Sequence, residues 1–490
     1  MLGIQQDMQE IIGKRASKPS LMAGNSTIFG FIRIGASLFA LILSCVSPLF
    51  SAEMLSRTNM AGTPPPWLTQ PLSLPDALTT ALQRNSAILK GQSDLKAAHG
   101  IAVQNRAIAL PKVRALGSYA HNEAVEVSPF SIINPPRDEW SGNVRIEQSI
   151  YEGGRILSGI RTARLIREQA LLRYQTTLAD TLYDVRNAYY TVLQAEQEIF
   201  VREASVKLLN QELTNTIQRF QAGAVPRFDV LRGEVEVANA RPRLIRARNG
   251  YRISKTGLAI LLGYNVPAGV GEDIPLTLTD KLESIPYDVN LSAALAQAMQ
   301  RRPELGVLKL EESLRHESVT VAKSGYKPSF LIFAGYGGRN TAFQDDFFKD
   351  VSGPMAGVEM RWNIFDGFAT RGRVIEAEAN REKAHYDLED VSRRIEQQVR
   401  TSYSTFVEAR EVIESQKKVQ EQAEEALRLA GARYEAGTGT QLDVLNAQTA
   451  LTEARTTQIE ALRNYQVSLA QLGRAIGSDT PQNSSPPAGK

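Results

Sequence analysis

Two stretches of 68 residues each, Arg155 to Ala222 and Ala369 to Ala436, contain no proline. At about 1.5 Å per residue, a helix of that length would extend about 100 Å, against about 11 or 12 residues for an ordinary globular helix. Such a rod cannot bury an apolar stripe by itself and requires neighbours. Leu388, Val391, Ile395, Val399, Tyr403 and Phe406 step by three and four along the second stretch, the spacing of a coiled-coil seam.

The rods belong to an internal duplication. "RFQAGAVPRFDVL" at Arg219 returns as "RYEAGTGTQLDVL" at Arg433, a shift of 214 residues (433 minus 219). "IYEGG" at Ile150 and "IFDGF" at Ile364 keep that shift, whereas Leu74 against Leu291 and Pro111 against Pro328 give 217. The copies therefore differ by three residues, placed between Pro111 and Tyr151. Each rod ends at Ala-Gly (Gly223, Gly437), a glycine helix stop. A returning helix is expected to start near Asp229 or Asp443, whose carboxylates suit an N-terminal cap or first turn. The repeated phrase thus reads as the tip of a helical hairpin, present twice.

Upstream of each rod the period changes. Leu74 to Ala109 is rich in Ala, Leu and Gln and predicts one helix, and past Pro111 the chain alternates. "VEMRWNIF" puts Val358, Met360, Trp362 and Ile364 on one face and Glu359, Arg361 and Asn363 on the other, as a strand does. Val144 onward, where Arg145 and Glu147 form the polar face, and Phe330 onward behave similarly. A polar loop is expected within each strand pair, over 121–142 and 338–353. Pro111, Gly153, Gly154, Pro328 and Gly367 mark the strand–helix junctions.

These signals divide the chain into an export segment, 1–52, and an extended arm, 53–71. Repeat 1 covers 72–265, with a strand pair at about 112–151 and a tip at 222–229. A linker, 266–290, leads to repeat 2, 291–477, with a strand pair at about 329–365 and a tip at 436–443. Residues 478–490, rich in Pro and Ser, are expected to be disordered. Arg33 followed by the apolar run Ile34 to Val46 has the form of an export signal, and its late position suggests a start at Met22. Two exits are open. "ILSC" resembles a bacterial lipoprotein box that would acylate Cys45, and "FSA" before Glu53 is a poor peptidase site.

Composition excludes several classes. A net charge of +3 with no basic stripe argues against a nucleic-acid partner, and the single cysteine rules out an intrachain disulfide or a cysteine-based zinc site. His99, His121, His316 and His385 have no metal-ligand neighbours at the usual spacing, and "AGTGTQ" lacks a phosphate loop's lysine. No catalysis, metal or cofactor is expected. Four strands per chain cannot close a barrel, which needs about eight, and open edges are not tolerated in lipid. Several chains must then share one barrel, with the rods standing together on one side. A bacterial outer membrane suits an exported chain with no apolar helix after its signal.

From about Leu72 to Gly477, this ordered set of paired features resembles the TolC-type outer-membrane efflux family. The resemblance implies a mainly α protein with a small β part. It implies a homotrimer with a 12-stranded barrel in outer-membrane lipid, continued by a 12-helix periplasmic tunnel with an equatorial layer. In that family the channel is an exit duct coupled through a periplasmic adaptor to an inner-membrane pump, in efflux or type I secretion. The adaptor grooves at the tips correspond to Arg219, Phe220, Gly223, Asp229, Val230 and Leu231, and to Arg433, Tyr434, Gly437, Asp443, Val444 and Leu445. A gate hydrogen bond would join Asp229 to Tyr434. Where the family places an arginine after the second-tip glycine, this chain has Gly439, and of two aspartate rings at the mouth it keeps Asp443 and replaces the other with Asn446. From the residues alone, Asp229 and Asp443 also read as plain helix caps, and Phe220 and Tyr434 as hairpin packing. The alternative for the whole chain is a coiled-coil structural protein of the cell envelope that forms no channel.

Overall fold

A computed structural model describes residues 70–121, 138–264, 273–340 and 350–478. The expected export segment with Cys45, the arm up to residue 69, the linker over 265–272 and the tail beyond 478 lie outside these residues. The two halves repeat one plan. The first contains α1 (Leu74–Arg84), α2 (Ser86–Arg106), β1 (Lys112–His121), β2 (Asp138–Glu152), α3 (Arg155–Gln221) and α4 (Arg227–Leu261). The second contains α5 (Leu291–Arg301), α6 (Pro303–Lys323), β3 (Ser329–Asn340), β4 (Asp350–Arg361), α7 (Ala369–Glu435) and α8 (Gln441–Ile476).

The rods α3 and α7 are each 67 residues long. Uninterrupted hydrogen bonding follows from the missing prolines. The segment expected as one helix from Leu74 to Ala109 is instead two. Asn85 breaks it by turning its backbone to the extended region and capping the Ala87 and Ile88 amides, while its Nδ2 donates to Leu261 O at 2.7 Å. Pro303 imposes the same break in the second half as the first residue of α6.

The four strands form one antiparallel sheet in the order β1-β2-β3-β4, so the central β2–β3 pairing joins the halves. One register shift between Ser149 and Tyr151 accommodates an extra residue in β2. Strand pairing reaches further into the expected loops than the sequence indicated, to Asp138 and Asn340, where Asn340 Nδ2 donates to Asp138 O at 2.5 Å. At its other end β4 stops at Arg361, leaving Trp362, Asn363 and Ile364 outside the strand. Trp362 Nε1 donates there to Tyr326 O at 3.2 Å.

Cross-strand register sorts the side chains into two faces. Val113, Ile146 and Ala334 lie side by side, as do Val144 with Tyr336 and Ile332 with Val358. Val113, Val144, Ile146, Tyr336 and Val358 are exposed in the single chain. The other face carries Lys112, Arg114, Arg145, Glu147, Arg339, Glu359 and Arg361. On it, Glu147 bonds Arg145 and Arg114, the latter at 3.3 Å. Leu116, Leu331, Phe333, Val351 and Met355 are apolar exceptions on that face. Among the described residues the outer edges of β1 and β4 pair with nothing.

Two apolar cores lie midway along the rods. Leu72, Val185, Tyr189, Leu193, Leu258 and Leu276 form the first, and Ile395, Val399, Phe406, Tyr465 and Leu472 the second. Leu72 bridges Leu278 in parallel, and Asp280 accepts from Leu74 N and Tyr189 Oη, both at 2.8 Å. Among the described residues no helix is long and apolar enough to cross a membrane.

At the strand–helix junctions the backbone turns through Gly153, Gly154 and Gly367, all with positive φ. A Cβ on Gly153 would come within 2.8 Å of Ser324 O, so only glycine fits there. Pro111 and Pro328 immediately precede β1 and β3, where proline favours extended chain before it.

Candidate functional site

The tips, at the free ends of both hairpins, hold the predicted contact and gate residues. Gly223 and Gly437 close the two rods with φ of 77° and 75°. Behind them Ala224 N donates to Arg219 O and Thr438 N to Arg433 O, each at 2.9 Å, satisfying carbonyls the helix ends would leave bare.

The returning helices start differently. In the second tip Thr440 is the N-cap: its hydroxyl accepts from Asp443 N, and the Asp443 carboxylate accepts from Thr440 N at 3.0 Å. The Thr440 backbone and hydroxyl bonds hold the Asp443 carboxyl below its ordinary range. In the first tip the equivalent N-cap is Pro226, which has neither an N–H nor a side-chain oxygen, and no side-chain cap forms. Asp229 occupies the position of Asp443 without that partner, half-buried in the first turn of α4. The cap reading therefore holds for Asp443 and not for Asp229.

The hydrogen bond expected from Tyr434 to Asp229 does not form within the chain. Tyr434 Oη is buried and without a hydrogen-bond partner among the described residues, and the Arg219 guanidinium lies over its ring, 4.5 Å from the centroid. That contact joins the first tip to the second through the ring face. One or two turns higher, burial pushes the Glu212 carboxyl up, against the opposing influence of Arg219.

Exposure divides the remaining tip residues. Phe220 and Leu231 are exposed at 37% and 46%, Val230 is half-buried, and Arg433, Gly223 and Gly437 are exposed. Val444 and Leu445, expected among the contact residues, are each only 6% exposed. Leu445 packs with Leu209 and Val237 in the seam between the hairpins, so it fastens the tips together and is not on the surface. Asn446 is exposed nearly two turns from the N-cap of α8 and one turn from Asp443. Gly439 sits tightly against the end of α7, donating to Arg433 O at 3.0 Å, and a Cβ there would lie 3.1 Å from that of Arg433. Gln441 was not anticipated. It is 5% exposed, and its Nε2 donates to Thr216 Oγ1 of α3 at 2.9 Å, a second bond between the tips.

No cluster of metal-ligating side chains occurs among the described residues. The model of the outer membrane efflux protein family matches residues 77–264 and 294–478. Outer membrane protein TolC of Escherichia coli K12 is 24% identical over 424 residues, covering 84% of this chain and 83% of that protein. The solved structure of the outer membrane protein VceC from Vibrio cholerae superposes with a TM-score of 0.71 at 18% identity, covering 82% of this chain and 96% of that one. The CmeC outer membrane channel of Campylobacter jejuni gives a TM-score of 0.73 at 14% identity, with 84% and 87% covered. Two matched segments, one per structural repeat, make this chain a member of the outer membrane efflux protein family, located in the bacterial outer membrane with a long periplasmic extension and without enzymatic activity.

Proposed function

We propose that three copies of the chain close one 12-stranded barrel in the outer membrane, continued by a 12-helix tunnel in the periplasm. The assembly serves as the exit duct of a tripartite efflux or secretion system. The observation that carries this is the four-stranded sheet: among the described residues both outer edges are unpaired, one face is apolar and exposed, and the other carries arginines and glutamates. In lipid such edges are tolerated only when paired, and joining β4 of one copy to β1 of the next pairs all of them. The apolar face then meets lipid and the charged face lines water.

The tips form the periplasmic mouth. Arg219, Phe220, Gly223, Asp229, Val230 and Leu231, with Arg433, Tyr434 and Gly437, face a periplasmic adaptor that links the duct to an inner-membrane pump. Asp229, Tyr434, Asp443 and Asn446 surround the constriction. Planar-bilayer recordings test the reading: the purified protein should form discrete, long-lived channels whose conductance rises when Arg219 is replaced. Absence of conductance from correctly folded protein would favour a coiled-coil structural role.

A further inference from the structure

We propose that the charged face of the sheet carries a binding belt for organic anions with an aromatic or apolar body, and that such anions are the cargo class this chain favours. The inference rests on the duct reading, which turns this face toward the lumen. Lys112, the first residue of β1, stands opposite Glu147, and Arg114 stands opposite Arg145. Like charges placed directly across a strand pair are destabilising. Glu147 compensates only part of this: it bonds both arginines and is 6% exposed. Lys112 is exposed and has no ion-pair partner among the described residues. Three cations against one carboxylate leave two net positive charges per chain on two successive levels of the sheet, and six where three chains close a barrel. Carboxylates elsewhere on this face do not cancel the belt. Glu359 pairs with Arg361 at 2.8 Å, and Glu139 and Glu152 stand at the two ends of β2, the former near Arg339.

The same two levels carry an apolar platform. Phe333 pairs with Glu147 on one side and Gly357 on the other, and Met355 pairs with Gly335. A Cβ on Gly357 would lie 2.8 Å from Phe333 Cζ, and one on Gly337 would lie 2.8 Å from Met355 Cε. Both side chains therefore lie flat across glycines of the neighbouring strand, offering a surface to the lumen instead of plugging it. Glycine weakens a strand interior and marks a place where another group approaches closely. The Arg145 guanidinium lies 5.9 Å from the Phe333 ring centroid, so cation and aromatic face belong to one surface. A carboxylate or sulfonate between Arg114 and Lys112, with its ring on Phe333 and Met355, satisfies both halves. A neutral solute gains only the apolar half, and a cation meets net repulsion.

The test titrates naphthalenetrisulfonate into the full chain, extracted in a neutral detergent, by calorimetry at low salt, with citrate as an anion of like charge and no ring. Naphthalenetrisulfonate should bind roughly tenfold more tightly than citrate, and both should weaken as salt rises. Lys112→Gln and Arg114→Gln should each weaken both anions roughly tenfold. Phe333→Leu should remove the preference for the ring and leave citrate binding unchanged. No binding at low salt, equal affinity for the two anions, or affinities indifferent to all three substitutions would overturn the proposal. Bilayer conductance of the same preparation separates the two readings. A conducting particle that binds neither anion sinks the belt alone, and a non-conducting particle that binds with the expected pattern sinks the duct alone.

Discussion

The Arg219 guanidinium covers the Tyr434 ring at 4.5 Å, while the Tyr434 hydroxyl is buried and bonds nothing among the described residues. Tyr434 thus joins the two tips through its ring face and not through its hydroxyl, beside the Gln441–Thr216 bond and the packing of Leu445. A cation–π contact is worth roughly 0.5–2 kcal/mol, rising with desolvation, enough to shift a gate equilibrium by about twofold to thirtyfold. Tyr434→Phe should leave bilayer conductance unchanged, whereas Arg219→Gln or Tyr434→Ala should raise the open fraction. Opening by Tyr434→Phe would restore the hydroxyl to the central role.

Thr440 and Pro226 stand at equivalent positions in the two tips and predict unequal stability. Thr440→Ala should destabilise the start of α8 by roughly 1 kcal/mol, the usual cost of a lost cap. Pro226→Thr should stabilise α4 by supplying the cap it lacks. Amide hydrogen exchange at the tips would register both, and no change in α8 exchange after Thr440→Ala would refute the cap's role.

Acid should act on the second tip through the same cap. The Asp443 carboxyl lies below its ordinary value when folded, so its contribution is present above the unfolded pKa and is lost as pH falls through the folded one. Exchange protection at the start of α8 should fall below about pH 4, the usual carboxylate value, and Asp443→Asn should flatten that response.

Asn446 is exposed beside Asp443, and a trimer would hold three carboxylates at the mouth where two rings would hold six. Asn446→Asp should strengthen block of conductance by multivalent cations, because block grows with clustered charge. Equal block before and after the substitution would remove both residues from the constriction.

Gly437 has open space around it but a φ of 75°. Gly437→Ala tests the backbone strain alone, about 1–2 kcal/mol, and should retain export. Gly437→Trp adds bulk where a partner would dock and should abolish export while leaving the trimer assembled. Intact export in the tryptophan variant would move the docking surface elsewhere.

Much of the architecture is legible because its signals are long or doubled. Sixty-seven residues without proline can hardly be other than helix, and the repeated Ala-Gly placed both hairpin ends. The break at Asn85 escaped notice because asparagine is tolerated in a helix, and only its bond to Leu261, 176 residues away, decides its conformation. Pro303 carried the equivalent break openly. Alternation in "VEMRWNIF" overran the true strand end, since period two continues past the last paired residue. At the tips, sequence equivalence treated Val444 and Leu445 like Val230 and Leu231. Their burial depends on which helix lies opposite, α3 for one hairpin and solvent for the other, and no local pattern records that.

The central claim is that β4 of one copy closes on β1 of the next. The native mass of the detergent-extracted protein, compared with its denatured mass, tests it most directly. Three chains per particle is the predicted result. A monomer would contradict the account, because four strands with two open edges cannot line a pore.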